Sequence, residues 1–203
     1  MLTEREYNRV ISRLEPGGVE VTAIHQHLPD ERPALWWTHF HGQGNAVRLA
    51  STLRSALKLT GTPFRASSKR APKQALDTQR LDAILGQPGK PDGGVYKFSI
   101  ARARPVREDG MELPPALGIA TVLNFQPTGR GRAAINGDFA MTAREVNPVI
   151  RALRRAGIQV VSLHNHGLTE TPRLFYLHFW ANARADKLAR GLRNALDQTA
   201  AKR

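Results

Sequence analysis

Residues 3–14 read TEREYNRVISRL, and the same pattern returns at residues 142–153 as TAREVNPVIRAL. The correspondence continues without a gap to residues 57 and 196, and 23 of the 55 aligned positions are identical. Self-similarity of this length at a fixed offset indicates an internal duplication, and a duplication decides the architecture before any single element does. The sequence therefore predicts two related structural units.

Each copy begins and ends with a helical pattern. Apolar residues recur three and four positions apart in these segments, which predicts one buried face per helix. A threonine followed three residues later by a glutamate opens both copies, at Thr3 and at Thr142, and this spacing is typical of an N-terminal capping box. Gly18 and Gly157 follow the opening helices, where each helix is expected to end. The predicted helices cover residues 7–14, 46–57, 146–153 and 185–196.

Two strand patterns separated by a polar turn lie between the helices of each copy, and each pair is most simply a β-hairpin. The predicted fold class is α+β, with two related helix–hairpin–helix units in a pseudo-symmetric arrangement and additional strands before the second unit. The hairpin strands are predicted at residues 19–27 and 35–41 in the first copy, and at residues 158–166 and 174–180 in the second.

The region between the copies predicts a linker followed by further strands. Five basic residues and two prolines in residues 58–73 favour an exposed linker. A short helix around residues 77–85 comes next, followed by a β-rich stretch in which Tyr96, Phe98 and Ile100 alternate. A hairpin turn at Asp109-Gly110 and further strands at residues 119–125 and 133–139 follow. The predicted organisation is a partial first copy at 1–57, a basic linker at 58–76 and a complete second copy at 77–203.

The first copy lacks a β-rich front of this kind. We therefore expect a β-rich segment upstream of Met1, and apolar surface on the first copy that favours a homo-oligomer. The N-terminal MLTEREYNRV has no export signal, which by itself predicts a cytoplasmic protein. No apolar run reaches the roughly 20 residues of a membrane span, so no transmembrane segment is predicted.

Composition excludes several kinds of site. The chain has no cysteine, so disulfides, thiolate metal ligands and cysteine nucleophiles are excluded. The net charge of +13 is spread along the chain, as +1 in residues 1–62, +4 in residues 63–76 and +8 in residues 77–203. Because a nucleic-acid interface requires clustered positive charge, nucleic-acid binding is the less favoured function.

Histidine is the residue type that points to chemistry, because all seven histidines lie in the two predicted hairpins. Residues two apart on a strand point to one face, so His25 projects together with His27, and His164 together with His166. His39 in the first copy and His178 in the second project onto the same face if the hairpin register pairs positions of equal parity. Three converging imidazoles form the ligand set of an open zinc or iron site. The predicted metal ligands are His25, His27 and His39 in the first copy, and His164, His166 and His178 in the second.

Three interpretations of these histidines remain open. They bind a divalent metal ion in an enzyme of unknown reaction, they line a non-catalytic pocket for an anionic or sugar-like small ligand, or they are structural core residues. Glu31 and Glu170, both in the turns, are the acidic residues retained near the histidines in both copies. In the pocket hypothesis the further ligand-binding residues are Arg173, Trp37, Tyr176 and Trp180.

Several long strings carry a family resemblance. GGVYKFSIARA at 93–103, NFQPTGRGRAAINGDF at 124–139 and SLHNHGLTETPRLFYLHF at 162–179 resemble the LppY/LpqO family of bacterial lipoprotein homologues, a domain of unknown function. The resemblance covers residues 93–196 closely, and residues 3–57 as the tail of a preceding copy. It implies a two-copy arrangement and export or lipid anchoring, and it implies no catalytic residue.

Overall fold

The computed structural model describes residues 1–64 and 76–202. This part of the chain forms two compact units, the first at residues 1–64 and 165–168 and the second at residues 76–164 and 169–202. Both units combine helices with antiparallel sheet, which confirms the α+β class. Most of the predicted basic linker, at residues 65–75, lies outside the described residues.

The first unit is a three-stranded antiparallel sheet with two helices. The strand order is β1-β3-β2, and the short β1 contacts only the beginning of β3. A small apolar core joins the helices to this sheet through Leu2, Val10, Leu14, Val19 and Ala56. The elements are β1 (Leu2–Thr3), α1 (Tyr7–Leu14), β2 (Glu20–His25), β3 (Leu35–His41) and α2 (Ala46–Leu57).

The predicted cap at Thr3 is wrong, whereas its counterpart at Thr142 is confirmed. Thr3 belongs to strand β1, and the residue that precedes α1 is Glu6, whose carboxylate accepts from the Thr3 amide at 2.8 Å. Thr142 directly precedes its helix, and its amide donates to Glu145 at 2.7 Å. The pairing of β1 with β3 draws Thr3 into the sheet, and local spacing does not encode that pairing.

The second unit has a six-stranded sheet of order β10-β11-β9-β8-β5-β4 and a small hairpin, β6-β7. Asp109 and Gly110, both with positive φ, form the turn of the small hairpin, as predicted. The elements are α3 (Thr78–Leu85), β4 (Lys90–Asp92), β5 (Val95–Ile100), β6 (Arg107–Glu108), β7 (Met111–Glu112), β8 (Thr121–Gly129), β9 (Arg132–Met141), α4 (Ala143–Arg155), β10 (Gln159–His164), β11 (Phe175–Arg184) and α5 (Ala185–Leu196).

Three helices, α3, α4 and α5, cover one face of this sheet. Leu177 and Phe179 of β11 point into the core beneath them. Side chains alternate between the faces of a strand, so Tyr176, His178 and Trp180 lie on the opposite face. His178 therefore lies on the sheet face away from the helices.

A glycine in the left-handed region follows each opening helix, after a 3-10 turn at Glu15–Gly17 in the first copy and after Ala156 in the second. Gly18 has φ 78° and Gly157 has φ 75°, a conformation that side-chain-bearing residues rarely adopt.

Among the helices at residues 1–64 and 76–202, none has the length and apolar character needed to cross a bilayer.

Candidate metal-binding histidines

The register of the first hairpin sets the positions of two histidines. His25 is opposite Trp37, and Ala23 is opposite His39. Directly opposed residues of an antiparallel pair share a face, and so do residues two apart on one strand. His25 and His39 therefore project from neighbouring strands onto the same face of the sheet.

The side chains of His25 and His39 meet there. Their Nε2 atoms are 2.9 Å apart. The Nδ1 atom of His25 lies 3.3 Å from the carbonyl oxygen of Gln26. Because a carbonyl oxygen only accepts, Nδ1 carries the proton and the Nε2 lone pair of His25 is directed towards His39. His25 is 7% exposed, so this arrangement is shielded from solvent.

A third imidazole, that of His166, joins this pair within the first unit. Its ring stacks on that of His39, with centroids 3.9 Å apart and planes 21° from parallel. One nitrogen from each of His25, His39 and His166 lies within 4.8 Å of the other two. The first unit therefore brings His166 to the predicted ligands His25 and His39, a combination that the prediction did not contain. A nitrogen of His27, the remaining predicted ligand of the first copy, also lies within 4.8 Å of one of His25.

Strand ends explain this difference. The prediction extended the first strand to residue 27 and its counterpart to residue 166, but β2 ends at His25 and β10 ends at His164. Alternation along a strand therefore does not govern His27 or His166. The ring of His27 lies 5.0 Å from that of His25 and stacks on Trp37, with centroids 3.8 Å apart.

The electrostatics of the first-unit histidines favour their neutral forms. Burial, with a smaller effect from neighbouring His25, lowers the pKa of His39 to about 4. Burial also lowers the pKa of His25, and the hydrogen bond to Gln26 opposes this only in part. Metal ligation requires the neutral imidazole, so these two side chains are in the protonation state that a metal ion needs at neutral pH.

The second hairpin has the same register. His164 is opposite Tyr176 and Ser162 is opposite His178, which places the two histidines on one face. Their rings are 4.8 Å apart and nearly parallel, at 9°. His178 is 2% exposed, and its Nδ1 atom donates to the carbonyl oxygen of Gly137 at 2.8 Å. The Nδ1 atom of His178 consequently carries the proton of the neutral ring.

Asp138 of β9 lies directly opposite His178 in the register. A carboxylate oxygen of Asp138 and a ring nitrogen of His178 are within 4.8 Å of each other. Burial raises the pKa of Asp138 to about 7, against the opposing effects of backbone hydrogen bonds and of Lys97. The sequence analysis missed Asp138 because β9 lies outside the duplicated segment; its only local signal is one acidic residue in a predicted strand.

The retained glutamates shape the turns of the hairpins. Glu31 accepts a hydrogen bond from the Leu35 amide at 3.3 Å, and Glu170 accepts one from the Leu174 amide at 3.0 Å. Glu170 is 5% exposed and forms an ion pair with Arg173 at 3.4 Å. The structure therefore gives Glu31, Glu170 and Arg173 a part in holding the turns.

The predicted aromatic ligand-binding residues have different surroundings. Trp37 is half-buried against His27. Tyr176 is almost fully buried in a small apolar cluster with Val106 and Ile119, and its ring centroid is 6.1 Å from that of His164. Trp180 is half-buried on the polar sheet face, opposite Asn136.

A protein-family model described as Domain of Unknown Function (DUF1259) matches residues 1–59 and 79–198. These ranges include every histidine of both hairpins. No curated protein and no solved structure matches the chain.

Proposed function

We propose that this chain, which belongs to the Domain of Unknown Function (DUF1259) family, binds a divalent metal ion through His25, His39 and His166. The observation that carries the proposal is the convergence of these three imidazoles, with one nitrogen from each within 4.8 Å of the others. The three side chains come from β2, from β3 and from residues 165–168, all in the first unit.

The spacing of the nitrogens suits a tetrahedral ion. Zinc binds histidine nitrogen at about 2.0–2.1 Å, so two ligand nitrogens on one zinc ion are about 3.3 Å apart. The Nε2 atoms of His25 and His39 are 2.9 Å apart and need to separate by only a few tenths of an ångström. An all-imidazole donor set suits zinc, iron, copper or nickel better than magnesium or calcium, which prefer oxygen.

A purely structural role for the histidines explains less of the geometry. A hydrogen bond between His25 and His39 satisfies two imidazoles, but it gives no reason for the third to stack on His39. The Gln26 carbonyl fixes the tautomer of His25 in the way that outer-shell acceptors orient metal-bound histidine. The neutral forms of His25 and His39 and the stacking of His166 on His39 are accounted for together if the three imidazoles share a cation.

Three protein ligands leave at least one coordination position open on a four-coordinate ion. A metal ion in such a site supplies a Lewis acid that polarises a bound water molecule or substrate oxygen. The function proposed here is accordingly a metal-dependent enzyme whose reaction class the histidines do not specify.

The alternative is a non-catalytic binding module for an anionic or sugar-like ligand. The observation that favours it is the half-buried Trp37 ring, stacked at 3° on His27, because flat aromatic surfaces suit sugar rings. Arg173 favours it less, since its guanidinium already pairs with Glu170.

We also propose that residues 3–57 and 142–196 are pseudo-symmetric copies of one helix–hairpin–helix unit in an LppY/LpqO-like protein. The order of elements supports this: α1, β2, β3 and α2 in the first unit recur as α4, β10, β11 and α5 in the second. Poor superposition of the two segments in an experimental structure would contradict the proposal.

Metal stoichiometry tests the proposed function. Full-length protein stripped with a chelator is titrated with Zn²⁺ and followed by calorimetry and elemental analysis. We expect His39→Ala to reduce the number of tightly bound ions by one per chain, and His166→Gln to do the same. His41→Ala is the matched control, because His41 lies at the end of the same strand and outside the three-histidine set.

Circular dichroism of each variant checks that the fold is retained. Unchanged zinc stoichiometry in a folded His39→Ala variant would overturn the proposal. The structural interpretation then predicts lower thermal stability without any change in metal content.

A further inference from the structure

We propose that the second unit binds a small organic acid, a carboxylate on a compact apolar body, in a cavity of about 270 Å³ next to the β6-β7 hairpin. The cavity is lined by residues between 101 and 119 and by Lys202. No member of the three-histidine set is among them, so this binding site does not depend on the proposed metal ion.

The buried part of the lining is apolar. Val106 is fully buried and Ile119 is 8% exposed, and Leu113 packs against the apolar cluster to which both belong. Pro105 and Pro115 add two rings that fix the backbone φ angle, which makes this wall rigid. A volume of about 270 Å³ corresponds to roughly nine water molecules and is at the small end of the range of ligand pockets. A ligand body of one ring or a short branched chain fits this space.

Two of the four charged side chains in the lining already form ion pairs. The guanidinium of Arg102 donates to both carboxylate oxygens of Glu145, at 2.8 and 3.1 Å, and both side chains are largely withdrawn from water. The carboxylate of Glu112 lies 3.8 Å from the guanidinium of Arg107, its partner across the β6-β7 hairpin. The charges of Arg102 and Glu112 are therefore compensated within the protein.

The other two charged side chains are those of Arg104 and Lys202, and both are positive. Within residues 1–64 and 76–202, neither side chain has a hydrogen-bond acceptor or an acidic partner. Exposed cations are normally solvated, but these two border the same apolar cavity. The cavity therefore combines an apolar wall with two uncompensated positive charges.

Backbone hydrogen bonds hold the segments that carry both cations. The Lys202 amide donates to the Ala101 carbonyl at 2.7 Å, and the Ala103 amide donates to the Ala200 carbonyl at 2.9 Å. Residues 200–202 therefore run alongside residues 101–103, and Arg104 follows directly. Because these segments are already ordered, binding an anion between the two side chains costs less conformational entropy than it would on a loose terminus.

A carboxylate on an apolar body uses both features of the cavity. Its two oxygens accept hydrogen bonds from an arginine and a lysine at the same time. Its apolar body packs against the wall formed by Leu113, Pro105 and Pro115. A bare inorganic anion would leave this wall in water, and a neutral ligand would leave both cations without a counter-charge.

Benzoate is the probe for this site. Full-length protein stripped of metal is titrated with benzoate while amide and methyl chemical shifts are followed by NMR, and metal removal prevents coordination of benzoate at the histidines. We expect saturable shifts at Val106, Leu113 and Ile119 at millimolar concentrations, since a ligand with so few atoms binds weakly. Benzamide has the ring without the charge and acetate has the charge without the ring, so each should bind about fivefold more weakly or worse.

Substitution of the two cations tests the charge recognition. Arg104→Gln and Lys202→Gln should each weaken benzoate binding by about three- to fivefold, and the double variant by about tenfold or more, because a partly exposed charge pair contributes up to about fivefold in affinity. The matched control is Arg144→Gln, which removes an exposed arginine from the first turn of α4, outside the cavity lining. It should leave the affinity within about twofold of wild type, since salt screens a charge that does not contact the ligand.

The proposal is overturned if benzoate gives no saturable shifts at the cavity, or if benzamide binds as tightly as benzoate. It is also overturned if folded Arg104→Gln and Lys202→Gln bind benzoate as the wild type does. Equal weakening by Arg144→Gln would overturn it as well, because it would reveal a general effect of net charge.

Discussion

Phe40 and Phe179 occupy equivalent positions in the two hairpins, yet Phe40 is 49% exposed and Phe179 is fully buried. The difference lies in the sheets. β11 pairs with β9 along its whole length and lies over a core of 23 buried residues, whereas β1 covers only two residues of β3 and the first-unit core has five. The same sequence pattern therefore contributes to a large core in one unit and to a small one in the other.

The histidines of the two hairpins show a related contrast. In the first unit the histidine bonded to a backbone carbonyl is His25, and its acceptor is the next residue along the chain. In the second it is His178, and its acceptor is Gly137 on β9. Strand β9 thus supplies both the orienting carbonyl and the carboxylate of Asp138. This comparison teaches that histidines in similar hairpins acquire different partners when their sheets differ.

The largest expected effect concerns the two phenylalanines. We expect Phe179→Ala to lower the free energy of unfolding of the second unit by about 3–5 kcal/mol, because it removes a fully buried ring from a close-packed core. Phe40→Ala should cost less than about 1 kcal/mol, since half of that ring is already in water. Urea denaturation of the two variants measures both values. Equal losses of stability would show that Phe40 contributes as much to its core as Phe179 does.

Gly137 provides the next test. Gly137→Ala places a Cβ against the Val122 carbonyl at a backbone conformation that favours glycine, and we expect a loss of about 2–3 kcal/mol. Gly61→Ala serves as the control, because Gly61 has no positive φ and its nearest neighbour is 3.7 Å away. Thermal unfolding followed by circular dichroism compares the two variants. A neutral effect at Gly137 would mean that β8 and β9 separate without cost.

The smallest expected effect on stability compares Glu6, which directly precedes α1, with Glu145, which lies in the first turn of α4. Glu145 accepts from Arg102 at 2.8 Å and from the amides of Thr142 and Ala200, whereas Glu6 accepts from the uncharged donors of Thr3 and Gly61. We expect Glu145→Gln to cost about 1–2 kcal/mol at pH 7, since hydrogen bonds to charged groups are the stronger ones. Glu6→Gln should cost less, because the hydrogen bonds to that carboxylate come from uncharged donors.

The loss in Glu145→Gln should depend on pH. Burial opposes ionisation of Glu145, but the hydrogen bonds from Arg102, Thr142 and Ala200 outweigh it and lower the pKa of the carboxyl below 4.5. A lowered pKa in the folded state contributes stability that is present above pH 4.5 and is lost as the pH falls through the folded-state pKa. Denaturation curves of wild type and Glu145→Gln should therefore converge on acidification. A stability difference between the two proteins that persists at low pH would contradict a stabilising role for the negative charge of Glu145.

The sequence predicted the elements well where the deciding contacts are local. The turn at Asp109-Gly110 and the helix cap at Thr142 are confirmed, and the strand at residues 35–41 matches β3. Each depends on turn chemistry, capping geometry or alternation within a few residues. The cap predicted at Thr3 failed because pairing between β1 and β3 competes for the same residue.

The candidate sites were predicted less completely. Alternation and an even register were sufficient to place His25 with His39 and His164 with His178. They were insufficient for His166, because β10 ends two residues earlier and the chain there no longer alternates. Asp138 could not be predicted either, since its position opposite His178 depends on how β9 pairs with a strand 40 residues away.

The sequence by itself predicted a duplication and the apolar faces of the helices, and it confined all seven histidines to two predicted hairpins. These features are local or repeat at a fixed offset, and the backbone geometry of helices and strands converts them directly into faces. Only the tertiary structure decided that Phe179 is buried while Phe40 is exposed, that His166 stacks on His39, and that Asp138 stands beside His178. Burial and cross-strand pairing depend on contacts between residues distant in sequence, so identical local patterns lead to different environments in the two units.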